Sequence, residues 1–241
     1  MRQNVNSSNN FTLLELLVGM TVLTILMLML FQFLISSQRT LNWSDSMWRI
    51  YENSRVIFDL IEQDLQACVT SSLPGEEIPF FMGDEETGIT WGDALKIAVV
   101  SSTNPPDIDA TSKLCEISYR YHSDISSIIG ENQPYVLYRK IVSNANEDWD
   151  YLTSDTWYDN DHPNSPDFQK VVGGVKNFEI KYFYNSETEY DVPDGGTDTS
   201  VKPTSIRIMF DLFDENLTDA SESVQNQTKR GFYKEIDLRK F

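Results

Sequence analysis

"NNFTLLELLVGMTVLTILMLMLFQFLISSQ" (residues 9–38) is one long apolar run that holds a single acid, Glu15. From Phe11 to Ile35 that carboxylate is the only ionisable side chain, and Gln32 and three threonines are the other polar groups. A helix of that length measures about 37 Å, enough to cross a bilayer core of about 30 Å. The run is too long for a cleaved secretory signal, and no small-residue cleavage site follows it. Leu13, Leu14, Leu16 and Leu17 surround the acid. An ionised acid near hydrocarbon costs roughly 2.5 to 3.5 kcal/mol on insertion scales, so a partner is needed to offset it.

Before the run stands a short polar stretch, "MRQNVNSSNN", with Arg2 as its one charged side chain. By the positive-inside rule the N-terminus stays in the cytoplasm and the chain after the span is exported. The helical pattern continues past the span. Between Leu41 and Val69 there is no proline and no glycine. Met47, Tyr51, Phe58, Ile61, Leu65 and Cys68 fall within a narrow arc at 100° per residue, while Glu52, Asp59, Gln63 and Gln66 lie away from it. The spacing predicts one helix of about sixty residues, apolar all round in its first half and striped in its second, ended by Pro74 and Gly75 in "SSLPGEE" (71–77).

The remainder reads as strands. "ALKIAVV" (94–100), "LCEISYRY" (114–121), "YVLYRKIV" (135–142), "NFEIKYFY" (177–184), "SIRIMFDLF" (205–213) and "FYKEIDLRK" (232–240) alternate apolar and polar residues and are rich in tyrosine, isoleucine and valine. Half-buried strands of this kind call for an antiparallel sheet with one covered face, and the helix carries a matching stripe. The predicted class is α+β, a long N-terminal helix whose first half spans the membrane, packed on an antiparallel sheet.

Composition bounds the function. The 241 residues include 37 acids and 19 bases, a net charge of -18. Nothing supplies the basic face that nucleic acid requires. A solvated exterior explains the acidity more simply than an acidic binding surface. The sequence has no G-x-S-x-G elbow, Walker A loop, dinucleotide glycine fingerprint or H-E-x-x-H, so no enzyme is expected. Two histidines, His122 and His162, are too few for an imidazole zinc site. Cys68 and Cys115 leave two readings open, a disulfide outside the cytoplasm or two reduced buried thiols.

Turn formers crowd the loops "SNANEDWDYLTSDTWYDNDHPNSPDF" (143–168) and "NSETEYDVPDGGTDTSVKP" (185–203). In the second, Asp191, Asp194 and Asp198 surround Gly195-Gly196, and carboxylates about a glycine turn suit calcium. Their spacing matches no EF-hand, and a solvated turn is the better reading. No cofactor is expected apart from that weak calcium candidate.

"FTLLELLVGMTVLTIL" closely resembles the N-terminal cleavage and methylation motif of type IV pilins and type II secretion pseudopilins. The resemblance implies a leader over residues 1–10, cut between Asn10 and Phe11 by a prepilin peptidase, and N-methylation of Phe11. It implies that Glu15, the fifth mature residue, meets the amine of a neighbouring subunit during assembly. Asn10 departs from the family, which normally has glycine there, and this places efficient cleavage in doubt. "VIFDLIEQDLQACV" is similar to the aspartate-containing segment of the J-type minor pseudopilins and W-type minor pilins. "ISYRY", "YVLYRKIV", "VVGGVKNFEIKYFYN" and "KPTSIRIMFDL" follow that group's order, in which a leucine-arginine strand succeeds a tyrosine-rich one.

The resemblance thus implies four parts: the leader 1–10, a transmembrane helix with the motif over 11–35, an amphipathic continuation over 36–70, and an exported β-rich domain over 71–241. It implies a minor pseudopilin or minor pilin of the bacterial inner membrane that initiates or caps a filament. Its partners would be other pilin-type subunits met through the helix, the peptidase, the inner-membrane assembly platform and membrane lipid. The competing readings are a single-pass membrane-anchored binding or adhesion protein and an anchored hydrolase. Glu15 separates the filament subunit from the anchored binding protein, because a plain anchor gains nothing from a buried acid whereas an assembling subunit needs one.

Overall fold

A computed structural model describes residues 12–69, 78, 80–83, 88–89, 93–122, 135–146, 149, 168–185, 188–190, 192, 197–199, 202–218 and 220–240. The chain falls into two units, 1–46 and 47–241. A single helix, α1 (Leu13–Gln66), contains the described part of the first unit and runs on into the second.

In the first unit α1 is long and apolar enough to cross a membrane, and none of its most apolar stretch is buried. Leu13 is 83% exposed and Met20 64%. The threonines in this stretch turn their hydroxyls onto their own helix: Thr21 Oγ1 donates to the Val18 carbonyl and Thr24 Oγ1 to that of Met20, each at 2.8 Å. Such back-bonding leaves no hydroxyl for lipid to desolvate.

In the second unit α1 buries Met47, Ile50, Ser54, Ile57, Ile61, Asp64 and Leu65. The stripe is therefore rotated from the predicted arc towards Ile50 and Ile57. Tyr51 is 57% exposed, not buried, and sets its ring edge against Phe232 with centroids 5.7 Å apart. The helix also ends earlier than predicted, at Gln66, where Ala67 turns and Cys68 bridges Ser101. That bridge takes the residue out of the helix and into the rim of a sheet.

The strands are β1 (Phe80–Met82), β2 (Gly88–Ile89), β3 (Asp93–Ser102), β4 (Leu114–His122), β5 (Val136–Ser143), β6 (Phe168–Gly173), β7 (Val175–Asn185), β8 (Thr188–Tyr190), β9 (Thr197–Thr199), β10 (Ser205–Leu212) and β11 (Arg230–Asp237). They form two antiparallel sheets: one ordered β6-β5-β4-β3-β1-β9, with β2 also on β3, and one ordered β11-β10-β7-β8. All six predicted strands are present, with ends moved by up to three residues. The last ends at Asp237, and Leu238–Lys240 form a 3₁₀ turn instead. A short helix, α2 (Glu222–Thr228), precedes it.

The loop read as a solvated turn over 185–203 instead contains β8 and β9, which join different sheets. Phe168, at the end of the other acidic loop, opens β6. Short strands bearing threonine, glutamate and aspartate lack the alternation that marks a strand in sequence, so pairing with longer neighbours decides them.

One core joins α1 to both sheets. It includes Ile50, Ile57, Ile61 and Leu65 of the helix, Val99, Ile117 and Tyr119 of the first sheet, and Tyr182, Ile208 and Phe210 of the second. Each such side chain fully buried contributes about 1.5 to 3 kcal/mol. Phe81, Ala98 and Val100 make a second buried cluster with Ile78 and Leu114.

The chain passes from one sheet to the other at Gly173-Gly174, between β6 and β7. Gly174 has φ +73°, and a Cβ there would lie 2.4 Å from the Phe213 carbonyl oxygen. Only glycine fits this crossing.

Candidate functional site

Two groups of polar side chains stand apart from ordinary surface polarity. The first lies at the head of α1. Thr12 N–H and Thr12 Oγ1 both donate to Glu15 Oε2 at 3.1 Å, and Glu15 N–H donates to Thr12 Oγ1 at 3.3 Å. This is a capping box: Thr12 is the N-cap, Glu15 the third helical residue, and each satisfies a backbone donor that would otherwise be unpaired. A carboxylate in the first turn is also favoured by the helix dipole, by about 0.3 to 1 kcal/mol. Part of what makes Glu15 tolerable is therefore supplied by its own chain. Thr12 was not singled out in the sequence, although "TLLE" carries the T-x-x-E signature. Asn10 and Phe11, the predicted cleavage and methylation residues, lie outside the described residues.

The second group is buried between α1 and the first sheet. Arg139 of β5 donates through Nε to Asp64 Oδ2 at 2.8 Å and through Nη2 to Asp64 Oδ1 at 2.6 Å. The Tyr119 hydroxyl of β4 also donates to Asp64 Oδ2. The Asp64 and Arg139 side chains are 3% and 11% exposed. Ser101 Oγ of β3 donates to the Asp64 backbone carbonyl at 3.0 Å. Three neighbouring strands thus grip one turn of the helix.

Burial disfavours the charged guanidinium of Arg139, but its hydrogen bond to Asp64, with Tyr119 beside it, outweighs this and raises its pKa above the ordinary arginine value. Burial, with the Asp64 carboxylate next to it, holds the Tyr119 hydroxyl well above the usual tyrosine range. A buried, bidentate pair that also accepts the Tyr119 hydroxyl fixes the geometry of helix against sheet. Asp64 comes from the segment "VIFDLIEQDLQACV" and Arg139 from "YVLYRKIV". The structure brings these two stretches together.

The cysteines do not join. Both thiols are free. Cys68 and Cys115 each sit opposite Ser101, one on either side of it. Two interstrand spacings separate their backbones by about 10 Å, beyond the reach of a disulfide. Burial pushes the Cys68 thiol up to about 11, against a smaller pull from Lys202. It also raises that of Cys115, where Arg139 acts in the opposite sense. Of the weak calcium candidates, Asp191 and Asp194 lie outside the described residues. Asp198 falls in β9, where its backbone pairs with Phe81. Among the described residues no three His, Cys, Asp or Glu side chains are grouped as metal ligands. No family model matches the chain, and no curated protein or solved structure matches it either.

Proposed function

We propose that this chain is a minor pseudopilin or minor pilin, a structural subunit that initiates or caps a type II secretion pseudopilus or type IV pilus. The observation that carries the reading is a carboxylate, Glu15, in the first turn of a helix whose apolar N-terminal stretch is wholly exposed and which continues into a folded α+β unit. An anchor needs only the apolar surface. An assembling stem gains from an acid at that depth, because a neighbour's amine can pair with it.

On this reading the leader ends at Asn10 and Phe11 carries the mature amine. The same reading places the N-terminus in the cytoplasm and the sheets outside, the orientation that Arg2 before the span favours, and the partners are other pilin-type subunits and the assembly platform. The Asp64–Arg139–Tyr119 cluster then has a mechanical role: it fastens the sheets to the stem that anchors them.

Fractionation of sheared filaments from the native host tests the proposal. The chain should appear in the filament fraction together with other stem-bearing subunits. Recovery in the membrane fraction alone, with filaments intact and free of it, would instead favour the membrane-anchored binding protein.

A further inference from the structure

Among the described residues the sheet edges are β6, β9, the two-residue β2, β8 and β11, and all but the last are short or interrupted. β8 and β9 have three residues each, and β6 is interrupted by a register shift against β5. β11 is different. It has eight residues, no proline, and an unbroken register with β10 from Arg230 to Asp237. No described strand pairs with its other edge. Proteins ordinarily protect such an edge by shortening, bulging or charging it, because its unpaired N–H and C=O groups template another strand. Lys234 is the inward charge best placed to block it, and Glu62 of α1 holds its ammonium group at 2.6 Å.

The surroundings of the edge suit a second chain. Tyr233 on the strand is 78% exposed. On the other face Tyr51 rests against Phe232 yet stays 57% exposed, and Trp48, one helical turn before it, is 67% exposed. Arg230, at the start of the strand, donates to the Lys229 carbonyl and forms no ion pair with a described acid.

The geometry points to β11 as the site where an extended segment of a partner subunit adds as a further strand. Its backbone would bond to the open edge, an acid would lie opposite Arg230, and apolar side chains would lie beside Phe232 and Tyr233. Main-chain bonds supply the affinity in this mode, and the alternate side chains supply the choice of partner. The acid follows from charge: an ionised group opposite an otherwise unpaired guanidinium forms a cross-strand pair, whereas a base there repels. This inference rests on the reading that the chain works within an assembly.

The test uses the full-length chain in native host membranes, with a photoreactive phenylalanine derivative at the Tyr233 position and mass spectrometric sequencing of the adduct. The expected result is an adduct with one extended segment of another polypeptide. Its yield should fall about tenfold in Arg230→Glu, the loss that roughly 1.4 kcal/mol produces. Yield should return when the acid opposite Arg230 on that segment is made lysine. Arg230→Gln, which removes the charge without reversing it, should give an intermediate yield and covers the case in which the reversal disturbs the fold. Adducts with lipid only, adducts with a helical segment, or a yield indifferent to Arg230 would overturn the inference. If those results coincide with the chain being recovered in filaments, the edge is excluded while the assembly reading stands.

Discussion

Asp64 and Arg139, 75 residues apart in the chain, meet through two hydrogen bonds of 2.8 and 2.6 Å beneath the helix. Removing either partner leaves the other buried and uncompensated, a loss of about 3 to 5 kcal/mol. Asp64→Ala and Arg139→Ala should each lower the melting temperature of the purified protein in detergent by on the order of 10 °C. The double variant should lose much less than the sum of the two. Additive losses in that cycle would show that the pair contributes no coupling and that packing alone fastens the helix.

Alkali should act chiefly through the tyrosines. Burial raises the hydroxyl pKa of Tyr119, Tyr121 and Tyr182 above the ordinary value of 10.0. The unfolded chain releases these protons near pH 10 while the native protein keeps them, so their contribution to stability is full below that pH and is lost above it. Each such tyrosine contributes about 1.4 kcal/mol of loss per pH unit in that range. A melting series from pH 8 to 11.5 should begin to fall near pH 9, where the unfolded chain releases the Cys68 and Cys115 protons that the native protein keeps, and fall more steeply above pH 10 as the tyrosines join. Tyr119, Tyr121 and Tyr182 should ionise only with unfolding when phenolate absorbance is followed. Titration of all 11 tyrosines ahead of the loss of circular dichroism would contradict the burial.

The sequence carried the helix, the class and six strands because each is long enough to show its period. "SIRIMFDLF" alternates over nine residues, and the structure buries Ile206, Ile208, Phe210 and Leu212 on one face. It could not carry β8 or β9, three-residue strands whose polar side chains read as turn. Nor could it locate the true stripe of α1. The side of the helix that faces the sheets is set by which side chains the strands present, and Ile50 and Ile57 fit that surface better than Tyr51. Glu15 stood out as a charge in an apolar run, yet Thr12 was passed over because a threonine in such a run looks unremarkable until its hydroxyl is seen on the carboxylate. The Asp64–Arg139 pair was unreadable for another reason. Each residue is one of many charges in an acidic chain, and only the fold brings them together.

The thiols should be inert. Cys68 and Cys115 are free and their pKa values are raised, so little thiolate forms at neutral pH. Mass measurement of the denatured, non-reduced protein after alkylation should find both cysteines modified. In the native protein a thiol reagent at pH 7.5 should react slowly, and with Cys68, the more accessible of the two, first. A bonded pair in material from an oxidising compartment would mean that the Ser101 strand between them had moved aside.

At the head of α1, Thr12 holds the Glu15 carboxylate by two hydrogen bonds of 3.1 Å. Those bonds stabilise the helix end, and on the proposed reading the carboxylate still takes a neighbouring subunit's amine as its partner. Thr12→Ala should weaken the helix start by about 1 kcal/mol and leave the charge in place. Glu15→Val removes the carboxylate and, on the proposed reading, deprives a neighbouring subunit's amine of its partner. Neither substitution should alter the melting of the folded unit. Cross-linking between adjacent stems in the native host should fall strongly in Glu15→Val and only modestly in Thr12→Ala, because the intrachain bonds orient the acid while the charge itself does the pairing. If the two variants lose cross-linking equally, the capping geometry rather than the charge governs recruitment. If Glu15→Val loses none, the acid serves the helix end alone.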